Sequence, residues 1–250
     1  MPVPNHPDKH ASTPVITPDE SGTHLREDIT PPSAIVLCYS PSLFEYVTDT
    51  YDGHQLDAYF GDLYVLPDDV GVLGNFGIGA PTTAMQMEEL IADGATAFLS
   101  IGFAGALETT IDRGEYILCS RAIRDDGTSH HYLPADRDAS PSDALHTHVA
   151  TTLEEYPVTV HEGPTWTIDA VYRETEAEVR TYADRGVLTV EMEAAAVFAV
   201  ASHHDIEAAS VFVVSDYVTP EDWTPHFEAA TEDLYDLGDT AVDLLAGFPD

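Results

Sequence analysis

Short apolar segments alternate with segments of helical periodicity along most of the chain, and this alternation constrains the fold more than any other feature. Seven predicted strands cover residues 34–38, 70–74, 96–101, 114–120, 158–161, 188–190 and 208–214. With 250 residues, the chain is long enough for one large domain. The sequence therefore predicts a single-domain α/β fold, with a central twisted, mixed but largely parallel sheet flanked by helices.

The chain is strongly acidic. Asp and Glu number 45 against nine Lys and Arg, which gives a net charge of -36. Such a surface repels phosphate backbones and anionic lipid, so nucleic acid and membranes are excluded as partners. We expect a halophilic protein in a cytoplasm of molar salt, where a Debye length of about 3 Å screens the self-repulsion. The sequence contains no signal peptide and no apolar run of the roughly 18 residues that a membrane span requires, so a cytoplasmic location is expected.

The N-terminal part of the chain differs from the rest. Residues 1–23 are rich in proline and polar side chains without periodicity, which predicts a flexible tail before a domain of residues 24–250. The adjacent His130 and His131 lack a third ligand at a recognisable spacing, and Cys38 and Cys119 match no metal or redox motif. We therefore expect no metal and no organic cofactor.

Two carboxylates interrupt an otherwise apolar stretch between a short strand and an alanine-rich helix. Glu191 and Glu193 flank Met192 and directly precede the helical residues 194–201. In an extended segment both Glu side chains point to one face and Met192 to the other. Acids at this position can cap the helix, or they can bind a ligand at the end of the strand. The spacing alone leaves both alternatives open.

Other chemistry-bearing residues also follow predicted strands. The glycine-rich segments 77–79 and 102–105 each come after a strand, and Ser215 and Asp216 follow the last one. Glycines that lead into a helix N-terminus build tight turns whose amides can face an anion or a sugar. Because ligands of α/β sheets bind beyond the carboxyl ends of the strands, these segments and the two Glu residues are expected to share one site.

The motif Val190-Glu-Met-Glu-Ala-Ala-Ala, together with Val213-Val-Ser-Asp216, resembles the signature of the nucleoside phosphorylase and nucleosidase family, which includes purine nucleoside and uridine phosphorylases. The resemblance extends over about residues 24–245. It implies the phosphorylase/hydrolase-like fold and cleavage of the N-glycosidic bond of a nucleoside. Glu193 and Glu191 would then hold the ribose hydroxyls while Met192 packs on the sugar, and Asp216 would be the general acid toward N7 of a purine.

The same resemblance assigns further residues to the substrate. Gly102, Phe103 and Ala104 belong to the Gly-x-x-Gly segment of the family, and Ser215 precedes the catalytic acid. Tyr172 is the candidate to stack on the base.

An N-terminal arm and the base-facing segment complete the implied assembly and specificity. His24 is expected to reach the ribose of a neighbouring subunit, which implies a dimer at least, and the larger rings of the family, such as hexamers, are built from dimers. Uridine phosphorylases carry Gln and Arg where this chain has Thr175 and Ala177, so a purine is favoured over uracil.

The phosphate site departs from the family pattern. Phosphorylases of the family bind phosphate through a Gly-Asp-Pro-x-Arg loop and further arginines, whereas the loop here reads Tyr39-Ser-Pro-Ser-Leu43 and Ser100 stands at an arginine position. Each missing guanidinium removes a charge-assisted hydrogen bond of roughly 1.5–3 kcal/mol. Gly77 and Ser100 are the remaining candidates for contact with phosphate.

Three hypotheses follow for the nucleophile. Phosphate can still react, held by loop amides and an arginine recruited from elsewhere, such as Arg124 or Arg173. Water can replace phosphate, as in the nucleosidases of the family, with Glu45 as the candidate base. In the third hypothesis the protein binds a nucleoside without cleaving it, and Tyr39 and Phe103 fill the former phosphate site. Phosphorolysis, which releases the base and ribose 1-phosphate, is placed first.

Overall fold

A computed structural model describes residue 6 and residues 8–18, 31–56, 61–220 and 223–248. Within these ranges the chain forms six α-helices and a ten-stranded sheet. The helices are α1 Pro41–Thr50, α2 Ala80–Ala92, α3 Asp143–Leu153, α4 Glu176–Ala183, α5 Ala194–His204 and α6 Thr231–Ala246. The strands are β1 Ala34–Cys38, β2 His54–Leu56, β3 Asp62–Val65, β4 Val70–Gly74, β5 Ala97–Ala106, β6 Tyr116–Asp125, β7 Val160–Ile168, β8 Thr189–Glu191, β9 Glu207–Val218 and β10 Trp223–Pro225.

The sheet is mixed, in the order β10-β9-β6-β7-β8-β5-β1-β4-β3-β2. The predicted single-domain α/β fold is confirmed. Parallel pairings join β1 to β4 and β5, β5 to β9, and β7 to β6 and β8. The other pairings are antiparallel, so the sheet is less parallel than the sequence predicts. Since β9 pairs with both β6 and β5, the strands β5, β8, β7, β6 and β9 close into a ring.

Helices cover both faces of the sheet, and the alternation within β1 shows how. Ile35 and Leu37 pack into a cluster that includes α2 and α5, whereas Val36 and Cys38 pack into a second cluster with α1, α3 and α6. Burial on both faces explains why the central strands are continuously apolar. Each fully buried aliphatic side chain contributes about 1.5–3 kcal/mol to folding, so these two clusters hold the sheet in place under the site.

Helix α5 is the most deeply buried helix of the site region. Its first eight residues, 194–201, are all buried, and five of them are alanine. Alanine combines the highest helix propensity with the smallest side chain that still packs, so the helix can lie close to β9 and α2. It ends at Asp205, whose φ of 57° is left-handed. Because residues 194–201 are buried, the start of this helix is held in the core.

Two strands extend beyond their predicted ends. The segment 102–105, predicted as a turn, continues β5 to Ala106, and the register with β9 shifts between Ala104 and Gly105. Asp216, predicted just past a strand, lies inside β9 opposite Gly105. Backbone pairing across the closed ring keeps these residues extended where local glycine content predicted a turn.

Part of the predicted N-terminal tail lies within the described residues. Lys9–Ala11 forms a 3-10 turn, and His10 Nε2 lies 3.0 Å from the carbonyl oxygen of His130. Of the helices in the described ranges, none has both the length and the apolar character of a membrane-spanning segment.

Candidate active site

A cavity of about 360 Å³ lies where β5, β8 and β9 meet the N-terminus of α5. This volume falls within the range typical of small-molecule sites. Its lining combines carboxylates with apolar side chains and comprises Tyr39, Ser40, Ile78, Gly102, Phe103, Ala104, Gly105, Val171, Glu174, Val190, Glu191, Met192, Glu193, Phe212, Ser215, Asp216, Val218, Trp223 and Phe227. The structure thus brings both Glu residues of the motif, Met192, the segment 102–104, Ser215 and Asp216 to one cavity.

Glu193 is held by a backbone amide from another loop. The N–H of Gly79 donates a hydrogen bond of 2.6 Å to Glu193 Oε1, and the N–H of Met192 donates one of 3.3 Å to Oε2. Gly79 has a φ of 100°, a conformation that a side chain disfavours, and Ala80 follows as the first residue of α2. The remaining lone pairs of this carboxylate are open to a ligand in the cavity.

Glu191 has a different environment, because the protein itself occupies most of its acceptor sites. Glu191 Oε2 accepts hydrogen bonds from the N–H groups of Glu193 (2.8 Å) and Ala194 (2.7 Å) at the start of α5. Its Oε1 accepts one from the hydroxyl of Thr167, whose oxygen in turn accepts the N–H of Ala195 at 3.1 Å. The capping alternative therefore describes Glu191, while Glu193 keeps capacity for a ligand.

Burial raises the pKa of both glutamates. For Glu191 the charge of Glu193 adds to the effect of burial, while the hydrogen bonds from Thr167, Ala194 and Glu193 oppose it. For Glu193, burial raises the pKa against the hydrogen bonds from Gly79 and Met192. Two neighbouring buried carboxyls disfavour simultaneous ionisation, so the pair tends to retain a proton.

Asp216 is buried and oriented by two donors. The hydroxyl of Ser215 donates to Oδ1 at 2.6 Å, and the indole N–H of Trp223 donates to Oδ2 at 2.8 Å. Gly105, its partner on β5, leaves the space that this arrangement needs, because a Cβ there would lie 2.7 Å from Val218 and 3.2 Å from Asp216 Oδ2. The hydrogen bonds of Asp216 fix its carboxyl group at the wall of the cavity.

Glu174 is a further carboxylate that faces the same cavity. It lies in the short connection between the 3-10 turn Val171–Arg173 and α4. Partial burial, and then the charge of Asp216, raise the pKa of Glu174 to about 7. Sequence reasoning assigned no role to this residue.

Apolar side chains form the mouth of the cavity. Phe103 and Phe227 contact each other with ring centroids 5.9 Å apart. Ile78, Val171, Trp223 and Phe227 are exposed by 63%, 46%, 56% and 43%. Large apolar side chains left open around a cavity can cover a planar ligand or pack against another chain.

The region of the predicted phosphate site contains neutral groups. The hydroxyl of Tyr39 lies 3.4 Å from the hydroxyls of Thr83 and Ser100, and its ring contacts Phe76 edge to face. Burial, followed by the charge of Glu193, keeps the pKa of Tyr39 well above its usual value. Among the described residues that line the cavity, none is Lys, Arg or His. These groups can donate and accept hydrogen bonds but supply no positive charge.

Several predicted site residues lie elsewhere. Tyr172 is 94% exposed and is not part of the lining, whereas Val171 of the same 3-10 turn lines the cavity, so stacking of Tyr172 on the base stays a prediction. Gly77 is exposed outside the lining, and Ser100 is buried beneath Tyr39. His24 lies outside the described residues.

The three side chains considered as phosphate ligands or as the base for water also lie outside the lining. The guanidinium of Arg124 donates hydrogen bonds to the backbone carbonyls of Leu133, Pro134 and Arg137, so its donors are used within this loop. Glu45 is exposed on α1. Neither residue lines the cavity, and Arg173, the other arginine considered for phosphate, is exposed outside the lining as well.

Sequence reasoning missed three polar groups of the site. Glu174 precedes the capping box formed by Thr175 and Glu178, so locally it looks like an ordinary acid before a helix. Thr167 and Trp223 act through hydrogen bonds to Glu191 and Asp216 over 24 and 7 residues. The alternation of side chains along β7 could have indicated that Thr167 faces the interior. No local sequence pattern indicates the contact between the indole of Trp223 and Asp216.

Comparison with known proteins identifies the family. Residues 37–246 match the phosphorylase superfamily, and this chain belongs to it. A purine nucleoside phosphorylase of the DeoD type from Myxococcus xanthus is 31% identical over 183 residues, which cover 72% of this chain and 75% of that protein. Phosphorylases of this family use phosphate as co-substrate and need no cofactor.

Two other relatives carry different names. A guanosine phosphorylase from Halorubrum lacusprofundi is 35% identical over 139 residues, covering 55% of this chain and 57% of that protein. A uridine phosphorylase from Haemophilus influenzae is 28% identical over 154 residues, covering 56% of this chain and 61% of that protein. In both cases the match spans less than two thirds of the relative. The crystal structure of a uridine phosphorylase from Vibrio fischeri has a TM-score of 0.75 at 22% identity and covers 88% of this chain and 99% of that one, so the fold is shared.

Proposed function

We propose that this protein cleaves the N-glycosidic bond of a nucleoside. One observation carries the proposal: Glu193, with open acceptor sites, and Asp216, fixed by two donors, line the same cavity. Cleavage develops positive charge on the sugar and negative charge on the departing base, so an enzyme must orient the ribose and stabilise the base. The two carboxyl groups are suited to these two tasks.

The roles follow from the environments of the side chains. Glu193 accepts hydrogen bonds from the ribose hydroxyls, Glu191 positions it through the shared N-terminus of α5, and Met192 packs against the sugar. Asp216 acts toward N7 of the base, with Ser215 and Trp223 holding it. Phe103, Gly102 and Ala104 form the wall beside the ligand. A purine is favoured over uracil because Thr175 and Ala177 replace the amide-reading pair of uridine phosphorylases.

Phosphate is the first candidate nucleophile, since relatives over most of the chain are named phosphorylases. The products are then the free base and ribose 1-phosphate. Hydrolysis by water is the second candidate, and a specific observation favours it: the described lining has four carboxylates and no cationic side chain. A phosphate dianion would lack a counter-charge there. Water carries no such penalty.

Product analysis with and without phosphate tests the proposal. The protein is incubated in molar KCl with inosine, guanosine, adenosine and uridine, and base and sugar are quantified. Ribose 1-phosphate formed only with phosphate supports phosphorolysis, and free ribose formed without phosphate supports hydrolysis. Glu193→Ala should reduce cleavage by about a hundredfold or more, since it removes an interaction with the reacting sugar. No base released by the unsubstituted protein under either condition contradicts the proposal.

Binding is followed separately by fluorescence. The sequence has two tryptophans, and Trp223 lines the cavity while Trp166 is buried against Tyr182. A nucleoside in the cavity should change the emission of Trp223, and Trp223→Phe should abolish that change. A fluorescence change without any release of base would favour the third hypothesis, a protein that binds a nucleoside without cleaving it.

We further propose that the protein is a cytoplasmic homo-oligomer built from dimers. The exposed apolar mouth of the cavity is suited to cover by a second copy, with the His24 arm reaching across. Light scattering in molar KCl measures the mass, and a monomer at micromolar concentration would contradict this assembly.

A further inference from the structure

Glu174 is the carboxylate of the cavity that the protein leaves uncommitted. The carboxyl groups of Glu191, Glu193 and Asp216 all accept hydrogen bonds from neighbouring protein groups. Within the described ranges, no donor contacts the side chain of Glu174, although it is half-buried and lines the cavity. A carboxyl group directed into a cavity without a protein partner has both oxygens available for a ligand.

The position of Glu174 relative to Asp216 decides which part of a ligand it meets. Both groups line the cavity, and the charge of Asp216 adds to the effect of burial in raising the pKa of Glu174. If Asp216 acts toward N7 of a purine, the neighbours of N7 on that edge are the apolar C8–H and the substituent at C6. The C6 substituent is the only polar neighbour, so a carboxyl group beside Asp216 on this edge meets it.

We propose, building on the proposed cleavage of purine nucleosides, that Glu174 determines specificity by contacting the C6 substituent of the base. In its ionised form Glu174 accepts a hydrogen bond from a 6-amino group. In its protonated form it donates one to a 6-oxo group. The preference of the enzyme between the two kinds of purine therefore depends on the protonation of this residue.

The surroundings of Glu174 place this change near neutral pH. The titratable side chains in the described lining are Tyr39, Glu174, Glu191, Glu193 and Asp216. Four of these are carboxyls, and Tyr39 stays neutral because its pKa lies far above the usual value. Partial burial and the charge of Asp216 raise the pKa of Glu174 to about 7, so both of its forms are available under ordinary assay conditions.

The test compares kcat/KM for inosine and adenosine between about pH 6 and pH 8 in molar KCl. The ratio of the two values cancels any effect that both substrates share, including titration of the ribose-binding pair. The ratio of inosine to adenosine should fall about tenfold over this interval, as expected from exchanging one hydrogen bond with a charged group. In Glu174→Gln the ratio should be independent of pH, because an amide carries a donor and an acceptor at every pH.

A matched control is available two residues away. Glu176 is exposed at the start of α4 and does not line the cavity, so Glu176→Gln should keep the full pH dependence. The ratio measured on the unsubstituted protein requires no variant to fold. A ratio that does not change with pH, or a Glu174→Gln variant that keeps the dependence, would overturn the role of Glu174 alone. If the unsubstituted protein releases no base from any nucleoside, the proposed function and this inference both fail.

Discussion

The backbone N–H of Gly79 donates a hydrogen bond of 2.6 Å to Glu193 Oε1 and links the loop after β4 to the start of α5. The two residues are 114 positions apart in the sequence. Glu193 therefore depends for its orientation on the conformation of a glycine in another loop, and that glycine has a φ of 100°. This link connects the backbone geometry of α2 with the group proposed to bind the ribose.

Substitution of Gly79 should affect both stability and catalysis. Gly79→Ala meets no close neighbour, since the added Cβ would lie 3.9 Å from Pro81 Cδ, but it must adopt a left-handed φ. The strain is expected to cost about 1–2 kcal/mol of unfolding free energy. Relief of the strain shifts the amide away from Glu193, so kcat/KM should fall about tenfold or more. Chemical denaturation and steady-state kinetics measure the two effects.

Gly94 provides the matched control. Its φ is 113° and its added Cβ meets nothing within 4 Å, but it lies in the turn after α2 rather than at the cavity. Gly94→Ala should lose about the same stability while kcat/KM stays unchanged. Equal losses of activity in the two variants would show that strain, rather than the contact with Glu193, is responsible.

Thr167 should stabilise the start of α5 and the carboxyl group of Glu191. Thr167→Val keeps the shape but leaves the N–H of Ala195 without its acceptor and removes one donor from Glu191. A buried group that loses its partner costs about 1–3 kcal/mol, and the disturbed start of α5 should also lower kcat/KM. Thr165 is equally buried on the same face of β7, and its hydroxyl bonds to Thr189 rather than to a residue of the cavity. Thr165→Val should therefore reduce stability alone, and an unchanged kcat/KM in Thr167→Val would contradict this account.

Glu174 should make stability depend on pH even without substrate. Its pKa is raised from 4.5 to about 7 in the folded state, so the folded protein binds the proton more tightly than the unfolded chain. The stability contributed by this proton is complete below the unfolded pKa and is lost as pH rises through about 7.

Glu174→Gln removes this dependence. It should leave stability unchanged under acidic conditions and raise it by about 1 kcal/mol under mildly alkaline ones, a figure reduced for partial exposure of the group. Denaturation at both pH values measures the difference, with Glu176→Gln as the reference. A variant that is less stable than the reference at alkaline pH would contradict the expectation.

Salt should control the stability of the whole chain. With a net charge of -36, self-repulsion opposes folding when ions are dilute. The unfolding midpoint should rise by about 10 °C or more between dilute buffer and molar KCl. Sucrose, which is excluded from surfaces but screens no charge, is the control, and an equal rise in sucrose would attribute the effect to solute exclusion.

The sequence predicts the fold well because burial on both faces gives the central strands a continuous apolar pattern. It also predicts the grouping of Glu193, Met192 and Asp216, although β8 and β9 are not neighbours in the sheet and meet there because Gly105 of β5 pairs with both Val190 and Asp216. Some differences in the lining have local causes. Tyr172 and Val171 belong to one 3-10 turn, and which of the two side chains faces the cavity depends on backbone dihedrals that the hydrophobic pattern does not specify.

Long-range hydrogen bonds account for the remaining differences. The capping role of Glu191 depends on Thr167, which is 24 residues away on another strand. Glu174 belongs to the site because the fold places it in the same cavity as Asp216 of β9. Such relationships exist in the folded sheet and have no counterpart in the spacing of residues along the chain.

Burial of residues 194–201, the first eight of α5, determines how the protein should lose activity. Its first amides cannot exchange with deuterium from solvent unless the surrounding sheet opens, so the N–H groups of Ala194 and Ala195 should be among the slowest to exchange. Inactivation on warming should then coincide with cooperative melting of the whole domain, because the start of α5 cannot open independently of the sheet around it.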